Sequence, residues 1–350
     1  MDIFNSAQYS NHERIIFINN CQVGLKAIIA IHDRTLGPAL GGCRFWNYRD
    51  EEEGLYDVLR LSKGMTYKAA LANVNLGGGK AIIFADSQNK KTPQIMHAMG
   101  TAINELKGEY ITGPDIGTGV KDMTIIHEKT PYVIGVDEAY GGYGDPARST
   151  SLGVFMGIKA AVQYKWGASD LKGIRILIQG LGHVGMNLCN HLHGEKATLI
   201  VSDIDSIKVQ EAQKKYQAIS VEPEKVYDVE ADIFSPCAFG AVINDNTISK
   251  LNFSIIAGGA NNQLEYNKHG KHLFENEIIY LPDYVVNGGG LIQVAAEWYK
   301  EPYEVYGPKV KKVYDSCLNI IKKSYNENID TNQAANLIAE KKISEQQKII

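Results

Sequence analysis

Apolar residues along this chain come in short runs rather than long ones. Residues 24–33, with Ile28-Ile29-Ala30-Ile31, and residues 81–85, Ala81-Ile82-Ile83-Phe84-Ala85, predict buried strands. Between them Leu55, Val58, Leu59 and Leu61 fall at helical spacing, which predicts a helix over Glu52–Lys63. This first part is a mixed α/β unit. The pattern breaks at Gly141-Gly142-Tyr143-Gly144-Asp145-Pro146, a candidate hinge. Ser149-Thr150-Ser151 is then expected to cap a helix carrying Leu152, Phe155, Met156 and Ala160. Strands are predicted at Ile174–Ile178, Thr198–Val201, Asp232–Phe234 and Ile255–Ala257, with a helix after Gly182. That rhythm implies a parallel, doubly wound sheet. An amphipathic tail from about Thr331 to Lys348 reads as a helix returning to the first domain.

Length and charge narrow the functional classes. A chain of 350 residues suits two domains. Its 36 basic and 40 acidic side chains give a net charge of −4, without a basic face for phosphate backbones, so nucleic acid is not expected as a partner. Five widely spaced cysteines form no C-x-x-C pair, and no histidine cluster has zinc spacing; no metal site is expected, and reduced thiols suit the cytoplasm. The amino terminus has no leader pattern, and no apolar run approaches bilayer length, so no membrane association is expected.

Two passages carry candidate chemistry. The first is the pair Lys68 and Lys80, the latter ending Gly77-Gly78-Gly79-Lys80, read here as a turn-forming glycine run before a buried strand. A lysine at the mouth of such a strand is partly desolvated, which favours the neutral amine and a role as base. The second passage is the strand Ile174–Ile178 running into Gly180-Leu181-Gly182-His183-Val184-Gly185, with a helix after it. A further strand ends at Asp203. Strand, G-x-G-x-x-G, helix and a later acid form a Rossmann dinucleotide fingerprint. Gly180 would allow the tight turn, Gly182 the approach of the pyrophosphate and Gly185 close helix–strand packing, with helix amides holding the phosphate. Asp203 would accept from the adenosine ribose and repel a 2′-phosphate, favouring NAD over NADP.

Further segments carry a family likeness over nearly the whole chain. Leu36–Arg44, Ser62–Ala81, Thr112–Thr118, Gly258–Leu264 and Pro282–Asn287 together resemble the amino-acid dehydrogenases of the glutamate/leucine/phenylalanine/valine family. The resemblance implies an N-terminal mixed α/β substrate-binding and oligomerisation domain, residues 1–145 plus about 328–350, and a Rossmann NAD-binding domain, residues 146–327. It implies NAD-dependent oxidative deamination of an L-amino acid to a 2-oxo acid and ammonia, in a homo-oligomer, dimeric or octameric. Lys68 would hold the substrate carboxylate, with Gly41, Gly42 and Met65 beside it. Lys80 would be the catalytic base and Asp115 the proton relay to the amine. Asn262 would touch both cofactor and substrate, while His183, Val184, Cys237, Ala238 and Ala260 would border NAD.

Substrate choice would then rest on apolar wall positions. Gly113 and Leu291, where leucine-type members carry alanine and valine, resemble the phenylalanine-type pattern, and the missing methyl at 113 is expected to make room for a flat ring. L-Phenylalanine is therefore the expected substrate, with leucine or branched-chain and tryptophan enzymes as alternatives. Phe45-Trp46-Asn47, Ile134 (where a threonine is common) and Gly288 depart from the family pattern. One other class stays open, a catalytically inactive NAD-binding regulator, against which Lys68, Lys80 and Asp115 argue, whereas a 2-hydroxy-acid dehydrogenase is discounted. The latter would need a histidine as proton carrier, and His183 has no evident acidic partner in the sequence.

Overall fold

Five strands build the first sheet: β1 (Arg14–Asn20), β2 (Leu25–Asp33), β3 (Ala39–Trp46), β4 (Gly77–Phe84) and β5 (Tyr110–Pro114), in the order β1-β2-β4-β3-β5. The computed structural model describes residues 3–85 and 91–348, so the extremes of the expected first domain, 1–2 and 349–350, lie outside the described residues. β1 and β2 pair antiparallel, as do β2 and β4, whereas β3 runs parallel to β4 and β5. Three helices flank these strands in sequence: α1 (Glu51–Ala72), α2 (Pro93–Glu105) and α3 (Val120–His127). Side chains alternate across β2 and β4. Ile29, Ile31, Ala81 and Ile83 pack with Met96, Met99, Met123 and Ile126 of α2 and α3, whereas Ile28, Ala30 and Ile82 pack with Leu55, Val58 and Leu59 of α1. Both strands are apolar throughout because both faces are covered.

Two expectations are corrected here. Gly77-Gly78-Gly79 is not a turn but the first part of β4. A Cβ on Gly77 would lie 2.2 Å from the Asp33 carbonyl oxygen, and one on Gly78 would lie 2.1 Å from Thr66 Oγ1 and 2.2 Å from the Thr66 amide nitrogen. Glycine here removes side chains so that neighbouring backbone can close in. The helix predicted from 52 to 63 runs on to Ala72, begun by Asp50, whose carboxylate accepts from the Glu53 amide, and ended by Asn73 in the left-handed conformation.

The second sheet holds six strands: β6 (Arg175–Gln179), β7 (Thr198–Ser202), β8 (Ile219–Ser220), β9 (Ile233–Pro236), β10 (Ile255–Ile256) and β11 (Ile279–Tyr280). All pairings are parallel, in the order β11-β10-β9-β6-β7-β8. This is the doubly wound Rossmann order, with its switch point between β6 and β9. The remaining helices along the chain are α4 (Ala147–Trp166), α5 (His183–Gly194), α6 (Ser206–Tyr216), α7 (Asn267–Glu275), α8 (Asp283–Val286), α9 (Gly288–Tyr299), α10 (Tyr303–Lys311), α11 (Val313–Glu327) and α12 (Thr331–Gln347). Ser149, Thr150 and Ser151 do not cap α4, which starts at Ala147 after Pro146. Thr150 Oγ1 donates to the Pro146 carbonyl and Ser149 Oγ to Gln293 Oε1, because these hydroxyls already lie inside the helix. The chain divides into two compact units: Met1–Gly144 with Val294–Glu301 and Ala339–Ile350, and Asp145–Gln293 with Pro302–Ile338. Among the described residues no helix is long and apolar enough to cross a membrane.

Two buried histidines make the first unit sensitive to acid. His12 accepts from the Ser10 amide at Nδ1 and places Nε2 3.1 Å from both the Leu59 carbonyl and Ser62 Oγ. His32 Nδ1 lies 2.8 Å from Thr66 Oγ1, and the two rings meet edge to face at 4.8 Å. Burial pushes His32 down to about 4, with His12 adding to the effect. The unfolded chain therefore takes up this proton before the folded one does, and stability present above pH 6.5 drains away as pH falls toward 4. The full loss is on the order of 3 kcal/mol for His32. Urea midpoints measured between pH 7 and 4 should fall more steeply for the native chain than for His32→Phe; parallel slopes would rule this out.

Candidate active site

Strand alternation places the chemistry on the α1 face of the first sheet. Ile82 points to α1, and Lys80, two residues earlier on β4, shares that side. On β3, Cys43 belongs to the core under α2, so Arg44 falls on the α1 side. On β5, Tyr110 packs with Cys43 in that core, so Gly113 lies opposite it, and Asp115 follows directly after the strand. The register pairs Gly42 with Gly113 and Cys43 with Pro114. Three neighbouring strands thus deliver a lysine, an arginine and a carboxylate to one place.

Distances confirm the cluster. Lys80 Nζ lies 3.1 Å from Asp115 Oδ2, and Arg44 Nε lies 2.7 Å from the same oxygen. Arg44 Nη1 reaches Asp57 Oδ2 at 2.6 Å, and Asp57 also accepts from Tyr48 OH at 2.8 Å and Arg60 Nη2 at 3.0 Å. The Lys80 side chain is only 7% exposed, Arg44 and Asp57 14% each, and Asp115 20%. Burial lowers the lysine's affinity for its proton; Asp115 opposes this without reversing it, and Arg44 reinforces it. Burial would raise Asp115, but Lys80 and Arg44 outweigh it and hold the carboxyl below its usual range. The result is a lysine biased toward the free amine beside an acid biased toward the carboxylate. Cys43, fully buried behind them, is pushed up to about 12 and stays a thiol.

Missing side chains make room for this cluster. A Cβ on Gly41 would lie 1.7 Å from the Gly79 carbonyl oxygen, and one on Gly42 would lie 2.7 Å from the Pro114 carbonyl oxygen and 2.8 Å from Asp115 Cβ. Tyr110 OH donates to the Gly41 carbonyl at 2.6 Å. Met65 and Lys68, both half-buried, sit on α1. Lys68 follows Asp57 by eleven residues, about three helical turns, so the two leave the helix at nearly the same angle. Local sequence assigns no role to Arg44, Asp57 or Tyr48. Arg44 ends the glycine-containing segment Leu36–Arg44, whereas Asp57 has the look of an ordinary polar residue of an amphipathic helix.

Gly113 overturns the volume argument for phenylalanine. A Cβ there would lie 2.4 Å from Ile134 Cδ1. The space left by the missing methyl is already filled by the larger side chain at 134, so the two departures compensate. Leu291 is buried in α9.

In the second unit, β6 ends at the fingerprint turn. Gly180 has φ +98°, and a Cβ there would lie 2.7 Å from Ala238; a Cβ on Gly185 would lie 1.9 Å from the Gly180 carbonyl oxygen. Gly182 has open space around it, the opening a pyrophosphate would need beside the start of α5. Asp203 accepts from the Leu181 amide through Oδ2 at 2.5 Å and from the Asp205 amide through Oδ1 at 2.8 Å, leaving each oxygen a lone pair. Cys237 donates its amide to the Gln179 carbonyl, and Val184 packs beside Gly259. Asn262 has φ +53° and donates its amide to Asp283 Oδ2, Ala260 is buried, and Asn261 Oδ1 accepts from Asn287 Nδ2. Among the described residues the buried acceptors Gln179 Oε1 and Asn287 Oδ1 have no donor. Open space at Gly182 and unpaired acceptors at the end of β6 and just after α8 fit a dinucleotide. His183 does have an acidic partner: its Nδ1 lies 2.5 Å from Asp145 Oδ2, a pairing across 38 positions that local sequence could not show.

Two family profiles match most of the chain. Residues 12–132 match the profile of the Glu/Leu/Phe/Val dehydrogenase dimerisation domain, and residues 200–349 that of Glutamate/Leucine/Phenylalanine/Valine dehydrogenase. Leucine dehydrogenase of Bacillus cereus is 46% identical over 344 residues, covering 98% of this chain and 94% of its own. Phenylalanine dehydrogenase of Bacillus thermotolerans is 47% identical over 339 residues, covering 95% of this chain and 89% of its own. The crystal structure of L-tryptophan dehydrogenase from Nostoc punctiforme superposes with a TM-score of 0.88 at 44% identity, covering 97% of each chain. Three substrates thus appear among similarly close relatives, and phenylalanine is not favoured over leucine.

Gly42→Ala tests whether the site depends on backbone contact. The added methyl should cost about 1–3 kcal/mol, seen as a lower urea midpoint. A midpoint equal to that of the native chain would mean β3 and Asp115 separate freely.

Proposed function

The chain belongs to the glutamate/leucine/phenylalanine/valine dehydrogenase family and is an NAD-dependent amino-acid dehydrogenase; from that premise we propose that it oxidatively deaminates L-amino acids with apolar side chains, using Lys80 as base. The buried contact of Lys80 with Asp115 Oδ2 carries the reading. When bound, the dinucleotide supplies the acceptor for the Cα hydride. Lys68 holds the substrate carboxylate as a point charge, beside the backbone of Gly41 and Gly42 and with Met65 nearby. Lys80, as a free amine, takes the proton of the water that adds to the oxidised substrate carbon. Asp115 passes protons to and from the departing amine. Activity should therefore rise with pH as Lys80 loses its proton, over a range below that of an exposed lysine.

Asp203, with a lone pair left on each oxygen, supports NAD in preference to NADP, because a 2′-phosphate would meet its negative charge. His183, Val184, Gly180, Gly182 and Gly185 serve the pyrophosphate side of the cofactor, and Cys237, Ala238, Ala260 and Asn262 the loops across the crevice. Gly113 and Ile134 pack together with no acidic or basic group at either position, which supports an apolar substrate side chain. A homo-oligomer is part of the same reading, supported by the match to the family's dimerisation domain.

Lys80→Ala should bind NADH with unchanged fluorescence while turnover falls by about 10²–10⁴-fold. Near-normal turnover would remove the assigned base. Across leucine, phenylalanine, tryptophan and glutamate, an apolar amino acid should have the highest kcat/KM; glutamate in first place would overturn the substrate class.

Ile134→Ala reopens the space beside Gly113. The phenylalanine-to-leucine ratio of kcat/KM should rise by about tenfold, within the range set by one or two methylenes in an apolar pocket. An unmoved ratio would show that this pair does not shape the substrate wall.

A further inference from the structure

We infer that Arg44 is a positioning residue that supplies the charge Asp115 needs, so that Lys80 is free to lose its proton. This rests on Lys80 being the base proposed above. The guanidinium uses two edges, Nε on Asp115 Oδ2 at 2.7 Å and Nη1 on Asp57 Oδ2 at 2.6 Å. A planar fork held at two edges cannot rotate, and it fixes the carboxylate it grips. Asp57 is held in turn by Tyr48 and Arg60.

Charge balance gives the arrangement its consequence. Asp115 and Asp57 carry two negative charges, and Arg44 and Arg60 carry two positive ones. The neighbouring Tyr48 and Cys43 are neutral, both being held above their ordinary range chiefly by burial. Lys68, on the same side of α1, adds a positive charge that a substrate carboxylate would answer in the proposed reaction, and a proton on Lys80 would add a further one in a place with little water. Without Arg44, Lys80 would be the sole cation touching Asp115 and would keep its proton to pair with it. Both donors meet at the same oxygen, Asp115 Oδ2.

The balance predicts opposite effects at the two ends of the guanidinium. Arg44→Gln should move the acid limb of the kcat/KM profile toward alkaline pH by about one unit, a roughly tenfold loss at neutral pH regained on raising the pH. The KM for NAD should stay unchanged. Asp57→Asn removes a negative charge and should move the limb toward acid. Arg44→Lys keeps the charge but not the fork, so its limb should stay near the native position while kcat falls. A loss in Arg44→Gln that is uniform across pH, or limbs that move together in Arg44→Gln and Asp57→Asn, would overturn the proposal and leave Arg44 a structural residue. If Arg44→Gln fails to fold, Asp57→Asn and Arg44→Lys decide: an alkaline or absent shift in the first, or a displaced limb in the second, overturns it. Lys80→Ala, measured alongside, separates the two readings. Activity surviving there removes the base itself, whereas an inactive Lys80→Ala with an unmoved Arg44→Gln limb removes only the role of Arg44.

Discussion

A single carboxylate oxygen, Asp115 Oδ2, meets both Lys80 and Arg44 on a face almost closed to water. Taking charges out of water is expensive, and an ion pair in such a place is tolerated only with good geometry and further hydrogen bonds. Here the geometry comes from three adjacent strands in fixed register and the further bonds from Asp57, Tyr48 and Arg60. The first unit can be understood as the scaffold that makes this crowding possible. It covers both faces of β2 and β4, so the lysine on β4 is buried by the same packing that stabilises the sheet.

The glycines belong to the same constraint. Gly41 lies against Gly79, Gly42 against Asp115 and Gly78 against Thr66 of α1, each at a distance no Cβ could share. The backbone closes in where side chains would have kept strands and helix apart. This close approach brings a strand residue, an adjacent strand residue and a post-strand carboxylate within hydrogen-bonding reach. The electrostatics is thus a consequence of packing.

Much of this was legible in the sequence, and the parts that were not share a cause. Apolar runs marked β2 and the end of β4, and the strand–glycine–helix passage with Asp203 marked the Rossmann sheet, because each signal is contained in a few neighbouring residues. The run Gly77–Gly79 was misread as a turn because turns and close-packed strands both select glycine, and only the partner tells them apart. The partner, Thr66, lies on another element. Asp57 was hidden because an acid on an amphipathic helix usually faces solvent, and Asp145 because it lies 38 positions from His183. In these three cases what escaped reading was a second residue, on another element, that decides what the first one does.

Substrate preference shows the same limit most clearly. Position by position, a glycine at 113 suggests added room and an isoleucine at 134 suggests lost room. Only their contact reveals that Ile134 Cδ1 stands where the missing methyl would have been. Packed side chains conserve volume across neighbours, since an unfilled gap forfeits contacts on every side. Relatives named for leucine, tryptophan and phenylalanine each share nearly half their residues with this chain, so overall identity does not choose among those substrates.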